Sequence, residues 1–310
     1  MKRGVLILSS LLFISNAFSQ SLAERLGYKV TDKILIINND DAGMCHAANT
    51  ATIEGMENGL ISSATIMMPC PWSNEIVKYA KENPDKGFGV HLTLTAEWKN
   101  YRWGTIASRP EVPGLYDDQG YMWKGVMEVY QASNPDEALI EGRAQIQKAL
   151  DMGVPVTHID SHMGTFQYAP DYMKVYLQLA EEFDLPARMP AQSTLDDMGT
   201  PPFRDFCKER GIIHPDYFIH EEFQNYKTEN VEEFWTSYIK SLKPGVTEIY
   251  VHAATEGDEI RAITGSASKR IKELEFFTSN QFRELIENEG IIVISYRSLF
   301  ELQRSERNNR

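Results

Sequence analysis

The chain has 310 residues, of which 42% are hydrophobic and 24% charged, with a formal net charge of -13 at pH 7. This composition is that of a globular protein with enough apolar residues for one large core, and it argues against disorder or a coiled coil. The acidic balance argues against a nucleic-acid partner. Three cysteines are too few for a disulfide-stapled scaffold, so we expect buried, unreactive thiols.

Residues 1–19 have the features of a secretory signal peptide. Two basic residues precede an apolar stretch, and small residues precede Gln20 at the expected cleavage point. The stretch is too short for a membrane span, and no later segment approaches 18 apolar residues. Cleavage would remove two positive charges and no negative ones, changing the formal charge from -13 to -15. We therefore expect a soluble, exported protein, in the periplasm, with residues 20–310 as its single mature domain.

Apolar segments of strand length alternate with helical patterns along the mature chain. The predicted strands are 34–38, 61–68, 87–94, 154–160, 185–189, 247–253 and 291–295, and the predicted helices are 46–58, 73–82, 135–151, 170–183, 229–242 and 268–289. Such alternation is typical of β-α units around a parallel sheet. About seven strands in a single α/β domain favour an irregular (β/α) barrel of TIM type over an open doubly wound sheet.

The first predicted strand ends on two adjacent carboxylates, Asp40 and Asp41. Its apolar residues are consecutive and do not alternate with polar ones, as expected for a strand buried on both faces. Folds of this kind bind ligands at the carboxyl ends of such strands. The same residues would also suit a turn or a helix cap. Because consecutive residues point in different directions at a strand end, we expect the two aspartates to have different roles.

The segment 96–132 interrupts the alternation of predicted strands and helices. It contains seven aromatic residues among Pro and Gly. These rings could simply cover one end of the barrel. Alternatively, they form a lip that stacks on sugar rings, with Trp98 and Trp103 as the substrate-binding candidates, because aromatic faces pack well against the C–H faces of pyranoses. The sequence leaves both interpretations open.

Histidines recur at later predicted strand ends. His91 lies on an otherwise apolar strand, and His252 follows another. Between them, His158, Asp160 and His162 alternate, so that a strand would place them on one side. Such side chains are costly to bury without a function. The remaining histidines, which we expect to be structural or on the surface, are His46, His214 and His220.

Together and in this order, these motifs resemble the YdjC/ChbG-type carbohydrate deacetylases over nearly the whole mature chain. The matching segments are Asn-Asp-Asp-Ala-Gly at 39–43, 59–65, Gly-Val-His-Leu-Thr at 89–93, Thr-His-Ile-Asp-Ser-His at 157–162, 251–253 and 290–297. The resemblance implies a barrel-like fold and removal of the acetyl group from an N-acetylated sugar or chitooligosaccharide. The chain departs from the family pattern at Ala42 and Met163, which we expect to line the pocket and to affect substrate preference.

The resemblance also implies roles for individual residues. Asp41, His91 and His162 would bind one divalent metal ion, and Asp40 would be the general base. Arg188 resembles the arginine that orients the catalytic aspartate in the broader polysaccharide deacetylases. His252 is the candidate acid for the leaving amine.

One carboxylate and two imidazoles leave coordination positions open, as a hydrolytic metal site requires. Ligand softness favours Zn²⁺, whereas the resemblance also admits Mg²⁺. Two other functions stay open: a secreted carbohydrate-binding protein without turnover, and a metal-independent glycoside hydrolase with Asp40 and Asp160 as its carboxylates. The sequence does not decide the sugar or whether the protein forms a homo-oligomer.

Overall fold

The computed structural model describes residues 20–219 and 226–309, so that the predicted signal peptide and His220 lie outside the described residues. Within these ranges, seven strands alternate with helices. The strands are β1 (Lys33–Ala42), β2 (Ser63–Ile66), β3 (Gly87–Leu92), β4 (Val156–Ser161), β5 (Tyr217–Phe218), β6 (Gly245–Val251) and β7 (Ile291–Val293). The helices are α1 (Leu22–Arg25), α2 (His46–Asn58), α3 (Ser73–Glu82), α4 (Val126–Ala132), α5 (Pro135–Asp151), α6 (Pro170–Glu182), α7 (Gln192–Asp197), α8 (Phe203–Arg210), α9 (Val231–Lys240), α10 (Asp258–Ile263), α11 (Ala267–Phe277), α12 (Asn280–Asn288) and α13 (Tyr296–Asn308). None of the helices in the described ranges has the length and apolar character that a membrane crossing requires.

The strands form one parallel sheet in the order β4-β3-β2-β1-β6-β5, and β7 pairs with the first half of β1. β1 lies at the centre, with β6 along one side and β7 and β2 in succession along the other. A bridge between Ile159 and Ala187 continues the sheet beyond β4, and the Ala187 backbone N–H donates to the Ile213 carbonyl at 3.1 Å. The predicted barrel-like α/β fold is confirmed.

The core is built on both faces of this curved sheet. One cluster packs β2, β3 and β4 against α3, α5 and α6, and a second packs β1 and β6 against α9, α11 and α12. Ile34–Ile37 of β1 are buried, as expected for a strand covered on both sides. Cys45, Cys70 and Cys207 are buried and free.

Two predicted elements differ from the structure. The predicted strand 185–189 is wrong as a strand, because it contributes only the bridge at Ala187; Pro186 and Pro190 have no N–H to donate to a ladder. The predicted helix 268–289 is two helices, α11 and α12. The chain breaks there because the Ser279 side chain accepts from the backbone N–H of Phe282 at 3.1 Å and begins a new helix.

The aromatic segment 96–132 is ordered by contacts with α5. It includes α4 and two isolated bridges, Thr95 with Trp123 and Tyr116 with Met122. The buried Glu141 carboxylate of α5 accepts hydrogen bonds from two consecutive backbone N–H groups of this segment, at 2.9 and 2.8 Å. Glu141 therefore anchors the segment to the barrel.

This anchor predicts a pH-dependent stability. Burial raises the pKa of Glu141 from 4.5 to about 7, although the N–H groups of Ile106 and Ala107 act in the opposite direction. A carboxyl group whose pKa is higher in the folded than in the unfolded state stabilises the fold fully at pH values below its unfolded-state pKa. This contribution is lost as the pH rises through the folded-state pKa of about 7. We therefore expect the free energy of unfolding to fall by about 3 kcal/mol between pH 5 and pH 8.

The Glu141→Gln variant should lose most of this pH dependence. Denaturant unfolding at both pH values measures it, and the exposed Glu82, replaced by Gln, is the matched control. An equal fall in the Glu141→Gln variant and in the parent protein would contradict the assignment.

Candidate active site

A cavity of about 340 Å³ opens at the carboxyl ends of the strands, at the low end of the range of about 300 to 1,000 Å³ that is typical of small-molecule sites. All six residues predicted to bind the metal or to act in catalysis lie in its wall. The complete lining is Asp40, Asp41, His91, Glu97, Ser161, His162, Met163, Gly164, Gln167, Tyr168, Arg188, Phe218, Tyr250, His252 and Arg270.

Asp40 and Asp41 both line the cavity, although consecutive residues of a regular strand point to opposite faces. Asp41 has a φ of 64°, in the left-handed region that is uncommon for residues other than glycine. The register between β1 and β2 also shifts between Asn39 and Ala42. This irregularity lets both carboxylates reach the cavity. The two carboxylates have different partners there, and the different roles expected for them stay a prediction.

Three possible metal-binding atoms, one each from Asp41, His91 and His162, lie close together at the ends of different strands. Asp41 Oδ1 is 3.3 Å from His91 Nε2 and 3.3 Å from His162 Nδ1, and these two nitrogens are 3.3 Å apart. Within the described part of the chain, the buried Oδ1 atom has no hydrogen-bond partner. The ligand atoms of a tetrahedral zinc ion, each about 2.0 to 2.1 Å from the metal, are about 3.3 Å from one another. The cluster therefore fits a divalent metal ion.

Both imidazoles are held by carboxylates on their other nitrogen. His91 Nδ1 is 2.7 Å from Asp160 Oδ1, and His162 Nε2 is 3.0 Å from Glu97 Oε2. Such partners fix the orientation of a metal-binding histidine. Burial lowers the pKa of both imidazoles, but Asp160 raises that of His91 to about 10 and Glu97 raises that of His162 to about 9. The surroundings thus favour positive charge at this point, carried by protons or by a metal ion.

Asp40 is held by a buried arginine. Arg188 Nη1 and Nη2 donate to Asp40 Oδ2 and Oδ1 at 2.7 and 2.8 Å. The same guanidinium pairs with Asp160 at 2.9 Å and with Glu248 at 2.8 Å. Burial raises the pKa of Asp40, but Arg188 lowers it more, to about 2. Asp40 is therefore ionised at neutral pH and fixed in orientation.

His252 lies in the cavity wall just beyond the end of β6. Its two ring nitrogens have no hydrogen-bond partner among the described residues, so they are available to a ligand. Burial lowers the pKa of His252 to about 4, although Asp41 raises it. The imidazole is therefore neutral at neutral pH.

Trp98 and Trp103 do not line the cavity. Their exposed fractions are 8% and 4%, and the two rings pack edge to face at 5.4 Å. Trp98 lies behind His162, with 6.3 Å between the ring centroids. This arrangement matches the interpretation in which the aromatic segment covers the barrel end, and stacking of either indole on a substrate stays a prediction.

Sequence reasoning missed several residues of the cavity wall. These are the aromatic residues Tyr168, Phe218 and Tyr250 and the charged residues Glu97 and Arg270. Tyr250 could have been found, because Glu248, Tyr250 and His252 alternate along one strand and thus share one side. Glu97 and Tyr168 follow strands, Phe218 lies in the short strand β5 and Arg270 lies on α11, and no motif marks any of them.

Comparison with known proteins gives the family. Residues 34–288, most of the chain, match the family described as YdjC-like protein. The chain belongs to the YdjC-like family. The predicted resemblance is thereby confirmed.

Two relatives of this YdjC-like protein bear the name carbohydrate deacetylase. The protein from Thermoanaerobacter pseudethanolicus is 32% identical over 269 residues, covering 85% of this chain and 98% of the relative. The protein from Enterococcus faecalis is 30% identical over 273 residues, covering 87% and 99%. A solved structure from Enterococcus faecalis, described as a candidate cellobiose-phosphate cleavage protein, is 30% identical with a TM-score of 0.73, and the match covers 86% of this chain and 99% of that one.

The two departures from the family pattern lie in different places. Met163 is 42% exposed, has a φ of 51° and lines the cavity, as expected. Ala42 is buried in the core cluster between the sheet and its helices, so the expectation that it lines the cavity is wrong. In this YdjC-like protein, Met163 is therefore the departure that a ligand would meet.

Proposed function

We propose that this protein is a metal-dependent deacetylase that hydrolyses the acetamide group of an N-acetylated sugar or a chitooligosaccharide-like substrate. The observation that carries the proposal is the 3.3 Å triangle of Asp41 Oδ1, His91 Nε2 and His162 Nδ1 beside an ionised Asp40. The names of the relatives support deacetylation and a carbohydrate substrate. The cavity volume suits a small ligand or one end of a longer one.

Asp41, His91 and His162 would hold the divalent ion. When bound there, the ion supplies Lewis acidity at the acetyl carbonyl. Zn²⁺ suits a set of two nitrogens and one oxygen, whereas Mg²⁺ prefers more oxygen ligands. The carboxylates of Asp160 and Glu97 keep the two imidazoles in place for this role.

Asp40 is the proposed general base. Its Oδ1 accepts from both Arg188 Nη2 and Asn38 Nδ2, each at 2.8 Å, whereas Oδ2 accepts only from Arg188 Nη1 among the described residues. A carboxylate oxygen has two lone pairs. Oδ2 is therefore the atom that can accept a proton from the attacking water, while Arg188 keeps the carboxylate aimed at the cavity.

His252 is the proposed proton donor to the leaving nitrogen. It faces the cavity with ring nitrogens that no described residue engages, so it can hydrogen-bond the substrate directly. Because the imidazole is neutral at neutral pH, it must gain a proton during the reaction before it can donate one. The attacking water gives one proton to Asp40 as its oxygen bonds to the acetyl carbon, and His252 gives one to the nitrogen as the C–N bond breaks. In each turnover Asp40 releases its proton to solvent and His252 takes one up from solvent, so the proton count balances.

The geometry disfavours the glycoside hydrolase alternative. Asp160 is fully buried and is not part of the cavity wall. Its oxygens are engaged by His91 at 2.7 Å, Thr65 at 2.8 Å and Arg188 at 2.9 Å. A carboxylate so enclosed cannot flank a glycosidic bond in the cavity.

An assay with and without a chelator tests the proposal. We expect the purified protein to contain about one divalent ion per chain and to release acetate from N-acetylglucosamine oligomers. Chelation should abolish release, and Zn²⁺, Mn²⁺ or Mg²⁺ should restore it. Sugar binding without acetate would indicate the non-catalytic alternative. Shortened, still acetylated sugars formed in the presence of chelator would indicate a glycoside hydrolase.

A further inference from the structure

Arg270 of α11 contacts the proposed metal ligand Asp41 directly. Its Nη2 donates to Asp41 Oδ2 at 2.7 Å, and both side chains are buried. Burial raises the pKa of Asp41, but the pKa lies well below its usual range, and of the groups that lower it the Arg270 guanidinium has the largest effect. Asp40 and Asp41 thus have separate arginines, Arg188 and Arg270.

The position of Arg270 is fixed from two directions. Its Nε donates to Ser266 Oγ at 3.1 Å. Its guanidinium carbon lies 5.9 Å from the centroid of the Trp98 ring, and the same indole packs behind His162. Trp98 therefore supports Arg270 and one of the proposed metal-binding imidazoles together.

This contact divides the two oxygens of Asp41 between different partners. Oδ2 is engaged by Arg270, while Oδ1 faces the two imidazole nitrogens without a hydrogen bond from the described residues. A carboxylate can bind a metal through one oxygen or through both. The guanidinium fixes the carboxylate so that Oδ1 lies 3.3 Å from both imidazole nitrogens. Its positive charge beside Oδ2 disfavours a cation at that oxygen, so Oδ1 is the oxygen placed to bind.

We propose that Arg270 is a positioning residue that sets the metal preference of the site by limiting Asp41 to one ligand oxygen. The inference rests on the proposed function, since it assumes a metal at Asp41, His91 and His162. One oxygen and two nitrogens suit Zn²⁺, which accepts low coordination numbers. A second oxygen from Asp41 would raise the coordination number and the share of oxygen donors, which suits Mn²⁺ better.

The charge of Arg270 must be separated from its geometric effect. A guanidinium close to the site repels any divalent ion, so its removal would strengthen the binding of Zn²⁺ and Mn²⁺ by similar factors. The ratio of the two dissociation constants cancels this common effect. A change in the ratio therefore reports on the donor set.

The experiment measures the dissociation constants of Zn²⁺ and Mn²⁺ by competition with a chelating dye, in substrate-free protein. In Arg270→Met, we expect the preference for Zn²⁺ over Mn²⁺ to fall by about 10-fold or more, the usual scale for loss of a group that orients a ligand. Arg270→Lys keeps the charge and one donor and should restore most of the preference. Arg143→Met removes an arginine from an exposed pair with Glu182 and should change neither constant.

The outcomes distinguish this inference from the function on which it rests. If wild-type protein binds neither ion, the proposed metal site itself is refuted. If wild-type protein binds Zn²⁺ and Arg270→Met changes both constants by the same factor, or changes neither, the positioning role is refuted. Circular dichroism checks that each variant folds. If Arg270→Met does not fold, Arg270→Gln replaces it, and an unchanged ratio there overturns the proposal.

Discussion

Replacing Asp40 by Asn should lower the rate of acetate release by about 100-fold or more, the usual scale for loss of a general base, while the bound metal is retained. Asn has nearly the same shape as Asp but cannot accept a proton from water. The fold should tolerate the change, because Arg188 keeps its ion pairs with Asp160 and Glu248. Steady-state acetate release and metal content of the same sample measure the two effects.

Asp171→Asn is the control for this prediction, because Asp171 is exposed and pairs with Lys174 outside the cavity. If Asp40→Asn lost its metal while Asp41→Asn kept its metal but was inactive, the assignment would be reversed, with Asp40 as the metal ligand and Asp41 as the general base. Full activity in both variants would refute the deacetylase proposal.

Replacing His91 by Ala should cost the protein most of its metal and, with it, most of its activity. The substitution removes one of three proposed donor atoms, Nε2, which lies 3.3 Å from Asp41 Oδ1. Loss of an outer-shell partner weakens metal binding by about 10- to 100-fold, so loss of a ligand should exceed that range. His162→Ala should have the same effect. Metal analysis after gel filtration measures the metal content of both variants.

His46→Ala is the matched control, because His46 is exposed and contacts Glu75 outside the cavity. Part of the activity of the His91→Ala variant should return at high metal concentration. Unchanged metal content in both His91→Ala and His162→Ala would refute the ligand assignment.

Local sequence patterns predicted the parts of the fold that depend on local chemistry. The helices α2, α3 and α5 begin and end as predicted, because their apolar spacing and flanking residues act within a few positions. The ends of the buried strands also located the site, since the carboxyl ends of parallel strands meet at one edge of the sheet. The metal-binding and catalytic candidates consequently all line one cavity.

What the sequence could not show depends on contacts between distant segments. No local pattern predicts the positive φ of Asp41, which coincides with the shifted register of β1 against β2. Arg270 lies on an ordinary helix, and only the packing of α11 brings it to Asp41. Similarly, the composition of 96–132 does not distinguish rings that face a ligand from rings that are buried, such as Trp103.

The separate arginines of the two aspartates also determine when the site can form during folding. Asp40 lies 148 residues before Arg188, and Asp41 lies 229 residues before Arg270. Closing such long loops costs little more conformational entropy than closing shorter ones, because each doubling of loop length costs only about 0.6 kcal/mol. Contacts between residues so far apart in sequence nevertheless form slowly. The carboxylates therefore emerge during synthesis long before their counterions. Neither carboxylate can pair with its arginine before that later segment has been synthesised and packed, so a truncation before α11 would leave Asp41 without its arginine.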